Sequence, residues 1–268
     1  MTVDVHPTAV LHPEAKIARG VRIGPYAVVG ADVEIGPGSS LAAHTVLLPG
    51  CRLGRNVAVE AHAVLGGTPQ DFDFAGAAST LVIGDGTMVR EHVTIHRSSK
   101  PGGETLVGRE CLIMAASHIG HDCRLGDQVV VTTQAGLAGH IEVGDQAVLG
   151  GQAGFHQHVR VGRLAMVAGK SRTDKDVPPF LVAEGIPCRA RALNVVGLRR
   201  SGVPPDTRQR LKQAFRLLYR SQRNTSQALE AIRRTVEADE LVEHLVAFVE
   251  ASERGIVPGG RAVPASRR

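Results

Sequence analysis

Five histidines are concentrated in one stretch of the chain, and their neighbours suggest what chemistry they could do. They are His118, His121, His140, His156 and His158. His121 is followed by Asp122, and an imidazole beside a carboxylate can take a proton from a hydroxyl near neutral pH. Gly139 precedes His140, and a backbone amide at a glycine can approach and stabilise an oxyanion. The residues therefore suggest proton transfer, and a metal site built from the same histidines is the alternative.

The elements that must position these residues follow a repeat of six. An aliphatic residue or Phe occupies 25 positions in one phase: Val5, Leu11, Ile17, Ile23, Val29, Ile35, Leu41, Leu47, Leu53, Val59, Leu65, Ile83, Val89, Ile95, Val107, Ile113, Ile119, Leu125, Val131, Leu137, Val143, Leu149, Phe155, Val161 and Val167. A period of six fits neither a helix nor a plain alternating strand. It fits short strands separated by sharp corners, with three sides closing each coil. Glycines often follow the aliphatic residue, and we expect them to supply the backbone angles of the corners.

The repeat predicts a mainly β protein built on a left-handed parallel β-helix, an exception to the usual right-handed crossover. Three hexads make one coil, and neighbouring strands lie about 4.8 Å apart. Residues 121, 139–140 and 157–158 should therefore stack on one edge of successive coils. We expect His121, Gly139 and His140 around one pocket.

The chain divides into a coil and a smaller helical part. The predicted β-helix covers residues 1–190, with two inserted loops at about 66–81 and 97–105, and loops that leave a regular scaffold often carry function. Apolar residues at helical spacing predict a helical domain over 191–253, with one helix starting near Pro204 and another capped by Thr225 or Ser226. The basic segment 254–268 is predicted to be disordered.

Composition limits the partners and the compartment. The net charge of +5 and the pI of about 9.3 favour acidic partners. Aromatic residues make up only 3% of the chain, so the stacking groups typical of nucleic-acid binding are scarce and no nucleic-acid partner is expected. We also expect no membrane span, no signal peptide and, with four cysteines that form no C-x-x-C pair, a cytoplasmic protein.

Several short segments occur in an order that resembles a known family. They are V-T-I-H-R from Val93, A-S-H-I-G-H-D from Ala116, L-A-G-H from Leu137, H-Q at His156, D-V-P-P-F from Asp176 and L-L-Y-R-S from Leu217. With the two loops and the helical tail, they are similar to the acyl-[acyl-carrier-protein]–UDP-N-acetylglucosamine O-acyltransferases of lipid A biosynthesis. The resemblance extends to about residue 253.

The resemblance implies a cytoplasmic homotrimer that transfers an (R)-3-hydroxyacyl chain from acyl carrier protein to the sugar 3-hydroxyl, without metal or cofactor. It implies that His121 is the general base, that Asp122 orients it and that the Gly139 amide binds the oxyanion. It also implies a set of substrate-binding residues: Asp71, His118, His140, His156, Gln157, Gly169, Asn194 and Arg200. Gly169 falls where the family sets acyl length.

Three departures from the family pattern concern the sugar nucleotide. Asp73 stands where many members carry Lys, Val196 where they carry Glu, and Ser201 where they carry Arg. These changes leave open a variant UDP-amino sugar with an amine at C3. A metal-dependent hydratase of the carbonic anhydrase type, an N-acyltransferase of the same pathway and a structural scaffold are the remaining alternatives.

Overall fold

A computed structural model describes residues 2–260 and contains 28 strands, most of them two residues long. The first nine are β1 (Asp4–Val5), β2 (Val10–Leu11), β3 (Lys16–Ile17), β4 (Arg22–Ile23), β5 (Val28–Val29), β6 (Glu34–Ile35), β7 (Ser40–Leu41), β8 (Val46–Leu47) and β9 (Cys51–Leu53). The next nine are β10 (Ala58–Val59), β11 (Val64–Gly67), β12 (Thr80–Ile83), β13 (Met88–Val89), β14 (Thr94–His96), β15 (Glu104–Val107), β16 (Leu112–Ile113), β17 (His118–Ile119) and β18 (Arg124–Leu125). The last ten are β19 (Val130–Val131), β20 (Gly136–Leu137), β21 (Glu142–Val143), β22 (Val148–Leu149), β23 (Gly154–Phe155), β24 (Arg160–Val161), β25 (Met166–Val167), β26 (Arg172–Thr173), β27 (Leu181–Glu184) and β28 (Arg189–Leu193).

Every third strand belongs to the same parallel sheet, so the three sheets form the sides of a triangular coil. The first sheet runs from β1 through β4 to β25 and continues to β27 and β28; the second runs from β2 to β26, and the third from β3 to β24. The aliphatic residues of the repeat point inward and are all buried from Ile23 onward. The predicted β-helix, with its mainly β composition and small helical region, is confirmed.

The glycines that follow the aliphatic residues were predicted to supply the backbone angles of the corners, and this reason for their presence is wrong. The left-handed backbone angles belong to the second corner residue, which is usually not glycine; φ is +60° at Asp122 and +61° at His140. The glycines that follow the aliphatic residues lie against the backbone of the next coil instead. A Cβ on Gly84 would lie 2.6 Å from the carbonyl carbon of Gly108. Glycine is therefore needed there for close packing of coils.

The two inserted loops leave the coil at the same corner, between the second and third sheets. The first connects β11 to β12 and the second connects β14 to β15. The coil resumes in register after each of them, because Leu81 pairs with Cys51 and Thr105 with Leu81.

In the described part of the chain, four helices follow the coil: α1 (Val195–Arg200), α2 (Pro205–Tyr219), α3 (Thr225–Thr235) and α4 (Glu240–Glu250). The short α1 was not predicted. The predicted cap of α3 is wrong, since Asn224 caps it and Gln227 completes a capping box. Apolar residues on α2, α3 and α4 form a buried cluster that includes Leu211, Ile232 and Leu245. None of the helices within residues 2–260 has the length and apolar character needed to cross a membrane.

The segment after α4 packs back against the coil. Ile256 pairs with Asp176, Gly259 pairs with Ala190, and Val257 is 1% exposed. The prediction of a disordered tail is therefore wrong for residues 254–260, because backbone pairing and burial of an apolar side chain fix them. The remainder of the predicted tail, 261–268, lies outside the described residues.

Candidate active site

The histidine and aspartate that follow β17 form a hydrogen-bonded pair at the corner between the second and third sheets. Nδ1 of His121 lies 2.7 Å from a carboxylate oxygen of Asp122, and both side chains are less than a tenth exposed. The backbone of Asp122 is in the left-handed region at this corner, with φ of +60°. The hydrogen bond between His121 and Asp122 is thus short and buried.

The carboxylate of Asp122 is held by the second inserted loop. Its two oxygens accept hydrogen bonds from the hydroxyl of Ser98, and from the hydroxyl and the amide of Ser99 at 2.8 and 3.1 Å. Burial opposes ionisation, but the hydrogen bonds from Ser98, His121 and Ser99 outweigh it, and the pKa of Asp122 lies well below its usual range. An ionised carboxylate only accepts hydrogen bonds, so Nδ1 of His121 must donate. The neutral ring then carries its lone pair on Nε2.

The next coil supplies Gly139 and His140 beside this ring. A Cβ on Gly139 would lie 2.6 Å from Nε2 and Cε1 of His121, so only glycine allows the imidazole to lie over that corner. Among the hydrogen bonds within residues 2–260, the Gly139 amide donates none. The rings of His121 and His140 meet edge to face with centroids 5.0 Å apart. The predicted convergence of His121, Gly139 and His140 is observed.

Further imidazoles surround the pair. His118 points outward from β17, with Nδ1 2.8 Å from the hydroxyl of Thr94, and its ring meets His96 edge to face. Burial, then the charge of His121, lowers the pKa of His118. Burial also lowers the pKa of His140, although the carboxylate of Asp122 opposes this. For His96, burial and the nearby His118 and His121 lower the pKa to about 4.

The metal alternative can be tested on the donor atoms. Ligand atoms of His121, Asp122 and His140 all lie within 4.8 Å of one another, so they could in principle share an ion. Two ligand atoms on a tetrahedral zinc are separated by about 3.3 Å, given bonds of about 2.0–2.1 Å. The 2.7 Å between Nδ1 of His121 and Asp122 is instead the length of a direct charge-assisted hydrogen bond. The arrangement fits a proton-transfer pair better than a metal site.

The other residues suggested by the sequence lie in several places. His156 and Gln157 occupy the following corner, where His158 stacks on His140 with centroids 4.5 Å apart. Asp71 lies in the first loop, Gly169 at an exposed corner of the first and second sheets, and Arg200 in the last turn of α1. Asn194 caps α1, with its amide nitrogen donating to the Leu164 carbonyl. Within residues 2–260, no hydrogen bond, ion pair or ring contact links Asp71, Gly169, Asn194 or Arg200 to the His121–Asp122 pair.

Sequence reasoning missed residues that support the pair and its surroundings. Ser98 and Ser99 lie in the segment recognised as an insertion, but the path of an insertion is not fixed by the repeat. Arg254 was assigned to a disordered tail, yet a guanidinium nitrogen lies 3.3 Å from Nδ1 of His156. Small hydroxyl residues in an insertion beside a repeat-borne histidine would have been the only available signal.

The triangular coil and its corner site define a transferase of the hexapeptide-repeat class. Residues 14–48 match the bacterial transferase hexapeptide model, and residues 176–257 match the second domain of UDP N-acetylglucosamine O-acyltransferase. An acyl-[acyl-carrier-protein]–UDP-N-acetylglucosamine O-acyltransferase of Chlorobaculum parvum is 52% identical over 253 residues, covering 94% of this chain and 96% of the relative. The chain therefore belongs to that family and is an acyltransferase.

Solved structures agree with this assignment. The UDP-N-acetylglucosamine acyltransferase of Bacteroides fragilis has a TM-score of 0.91 at 37% identity, and the O-acyltransferase of Moraxella catarrhalis has 0.90 at 37%. Each alignment covers 94% of this chain and 99% of the other. The hydratase and scaffold alternatives are thereby set aside.

Proposed function

We propose that this protein transfers an (R)-3-hydroxyacyl chain from acyl carrier protein to the 3-hydroxyl of UDP-N-acetylglucosamine, the first acylation of lipid A biosynthesis. Family membership supports the reaction class and the substrates. The observation that carries the mechanism is the buried His121–Asp122 pair, with its free imidazole nitrogen directed to the Gly139 corner.

In the proposed reaction, Nε2 of His121 takes the proton from the sugar 3-hydroxyl as that oxygen attacks the thioester carbonyl carbon. The carbonyl oxygen becomes an oxyanion, and the amide of Gly139 can donate to it. Collapse of the tetrahedral intermediate breaks the carbon–sulfur bond. The imidazolium then returns its proton to the leaving thiolate, so His121 is a base in one step and an acid in the next.

Direct transfer is favoured over a covalent acyl-enzyme. Cys123 is the cysteine next to the pair, but its thiol is buried and donates to the Ala138 carbonyl at 3.0 Å. Burial raises its pKa to about 12, so the thiolate needed for attack is scarce at neutral pH. The hydroxyls of Ser98 and Ser99 are committed to the Asp122 carboxylate.

The substrate would extend from this corner along the neighbouring coils. We assign contacts with the sugar nucleotide and the acyl chain to Asp71, His118, His140, His156, Gln157, Gly169, Asn194 and Arg200. The amide of Asn194 also caps α1 and donates to the Leu164 carbonyl, so this residue would in addition place α1 and Arg200.

A UDP sugar with an amine at C3 is the second candidate acceptor. Asp71 and Asp73 lie together in the first loop, where the Asp73 amide donates to the Asp71 carboxylate at 3.0 Å. Two carboxylates near the acceptor would favour a substrate that carries a positive charge. Acceptor preference between the two UDP sugars decides between the candidates.

We further propose that the protein is a homotrimer whose active sites lie between protomers. The outward side chains of the first sheet are apolar along Leu112, Val130, Val148 and Met166. Those of the second sheet include small or aliphatic positions, at Val28, Val46, Gly136 and Gly154, beside the polar Thr94 and His118 of the candidate site. The third sheet carries charged pairs instead, such as Arg124–Glu104 at 3.0 Å.

Two apolar sides and one charged side suit a closed ring. The first sheet of one protomer would cover the second sheet of the next, and the charged third sheet would lie outside the interface. The corner of His121 lies at the edge of the second sheet, and would therefore open into the groove between protomers.

The acidic acyl carrier protein would bind the basic helical domain. The sequence places Arg208, Arg210, Lys212, Arg216, Arg220 and Arg223 there. Arg210 is paired with Glu237 and Asp239, and Arg220 donates to the carbonyls of Arg191 and Gly260. The exposed Lys212, Arg216 and Arg223 are the better candidates for the carrier contact.

The decisive experiment replaces His121 with Ala and measures transfer from a 3-hydroxyacyl carrier to each UDP sugar. We expect turnover to fall by about 10²–10⁴-fold, because a general base is lost, while the melting temperature changes little. Replacement of His12, an exposed histidine of the first coils, is the control and should leave turnover unchanged. Near-normal turnover of the His121→Ala variant would exclude His121 as the base.

A further inference from the structure

We propose that Ser98 and Ser99, in the second inserted loop, are positioning residues for acyl transfer. They hold the Asp122 carboxylate so that it pairs with His121 rather than with His140. The inference rests on the proposed function, in which His121 is the base.

The contacts of the carboxylate leave it little freedom. An ionised carboxylate has about four lone-pair positions. Ser98 donates to one oxygen, while the other accepts from the Ser99 hydroxyl at 2.8 Å, the Ser99 amide at 3.1 Å and His121 Nδ1 at 2.7 Å. Every donor is contributed by the loop or by His121.

The direction of the Ser98 hydrogen bond follows from its two partners. The amide of Lys100 donates to the Ser98 hydroxyl oxygen at 3.1 Å. The ionised Asp122 carboxylate can only accept, so the Ser98 hydroxyl donates its proton to Asp122. Ser98 is fully buried, so water does not compete for this bond.

The loop is built around this position. The Ser79 hydroxyl, at the end of the first inserted loop, donates to the Ser98 carbonyl. A side chain on Gly103 would collide with the Ser98 hydroxyl, and the Asp122 amide donates to Thr105 at 2.8 Å. Both inserted loops are thus connected through Ser98 to the catalytic corner.

The consequence concerns the choice between two histidines. Nε2 of His140 lies 3.8 Å from the same oxygen of Asp122 that contacts His121. Without the serine donors, a small rotation of the carboxylate would let it share its charge with His140. His121 would then lose its fixed tautomer and orientation. The serines therefore select which histidine acts as the base, without touching substrate themselves.

The test uses the full-length enzyme with Ser98→Ala, Ser99→Ala and the double substitution. We expect the double variant to lose about 10–100-fold in kcat, since orientation of the base is impaired, with KM for both substrates within about two-fold of the wild-type value. Ser99→Thr keeps the hydroxyl, so its kcat should be close to the wild-type value and above that of Ser99→Ala. Ser117→Ala is the matched control, because Ser117 is buried in the same coil as His121 but donates to the Met114 carbonyl.

A second measurement keeps the proposal testable apart from the overall reaction. Nitrogen NMR of labelled histidine, with His121→Ala to assign the signal, should show the Nδ1-protonated tautomer of His121 in the wild type. We expect a mixture of tautomers in the double serine variant, and the unmixed form in Ser117→Ala. An unchanged His121 signal in the double variant would overturn the proposal even if kcat fell.

A triple variant, His121→Ala with Ser98→Ala and Ser99→Ala, separates the positioning role of the serines from the assignment of His121 as the base. If the serines act through His121, adding both substitutions to His121→Ala should cause no further loss of kcat. If the two serine substitutions lower kcat in the His121→Ala background by the same factor as in the wild type, the serines act elsewhere, and the positioning role is overturned. Failure of the base assignment would appear differently, as normal turnover of His121→Ala alone.

Discussion

At the scale of single residues, the site depends on one proton and one charge. Asp122 is ionised because the donors around it outweigh its burial. That charge fixes the proton of His121 on Nδ1 and leaves Nε2 to accept one. Gly139 contributes by lacking a side chain, since any Cβ would occupy the space of the imidazole. The proposed proton transfer therefore needs the residue types at 121, 122 and 139 together.

Substitution of Asp122 by Asn should test the role of this charge. The amide has nearly the same shape, but it is neutral and would present a donor to some of the groups that now donate to the carboxylate. We expect kcat to fall by about 10²–10⁴-fold with the fold retained. Asp127→Asn is the control, because Asp127 occupies a corner of the same coil and pairs with the exposed Arg109. Equal losses in the two variants would contradict a specific role for Asp122.

At the scale of elements, the regular coils and the second inserted loop contribute different parts of the site. The coil brings residues 121, 139 and 140 together because each corner stacks on the one before, as the hydrogen bond from the His140 amide to the His121 carbonyl shows. The second loop then locks the carboxylate in place. β14 contributes Thr94 and His96 to the same surface, and Gly67 lies close against the ring of His96 and covers part of it.

The half-buried His96 predicts a pH dependence of stability. Its pKa is about 4 in the fold and 6.5 ordinarily, so the unfolded chain takes up a proton at a higher pH than the folded protein does. Stability attributable to this ring is present above pH 6.5 and is lost as the pH falls toward 4, by at most about 3 kcal/mol and less where water reaches the ring. In His96→Asn, the free energy of unfolding should fall less steeply over this range.

Chemical denaturation at several pH values measures this slope. The exposed His12 provides the control, and His12→Asn should keep the slope of the wild type. A slope in His96→Asn equal to the wild-type slope would show that His96 does not titrate in this way.

At the scale of the whole molecule, the three sides of the coil differ in character. The apolar stretches of the first and second sides suit contact with other copies, whereas exposed ion pairs such as Lys16–Glu34 at 2.8 Å suit the third side to water. The proposed trimer would place the His121 corner beside a neighbouring protomer. Assembly and activity should then be lost together.

Introducing charge on the first side should dissociate the assembly. We expect Val130→Asp combined with Val148→Asp to give monomers in light scattering after size exclusion, with loss of most acyl transfer, because the carboxylates would be buried at the interface. Val82→Asp is matched in chemistry but points outward from the third side, and it should leave mass and activity unchanged. A monomeric wild type, or an active monomeric variant, would contradict the proposal.

The sequence by itself determined the coil and the stacking of its corner residues. A repeat of six is local and periodic, so each hexad specifies one side of the coil. Counting hexads along the chain then specifies which residues stack on one another in successive coils. For this reason His121, Gly139 and His140 could be placed in one pocket. The resemblance of short segments to a family added the reaction, which the comparisons with relatives support.

Only the tertiary structure determined the conformation and the contacts of the segments that interrupt or follow the repeat. The path of the second loop, and hence the contacts of Ser98 and Ser99 with Asp122, depends on packing that no period describes. The close contacts of the coil glycines and the return of residues 254–260 to the coil likewise arise from segments distant in sequence. Periodic residues repeat one local geometry, whereas inserted and terminal residues take the conformation that satisfies their buried hydrogen-bonding groups.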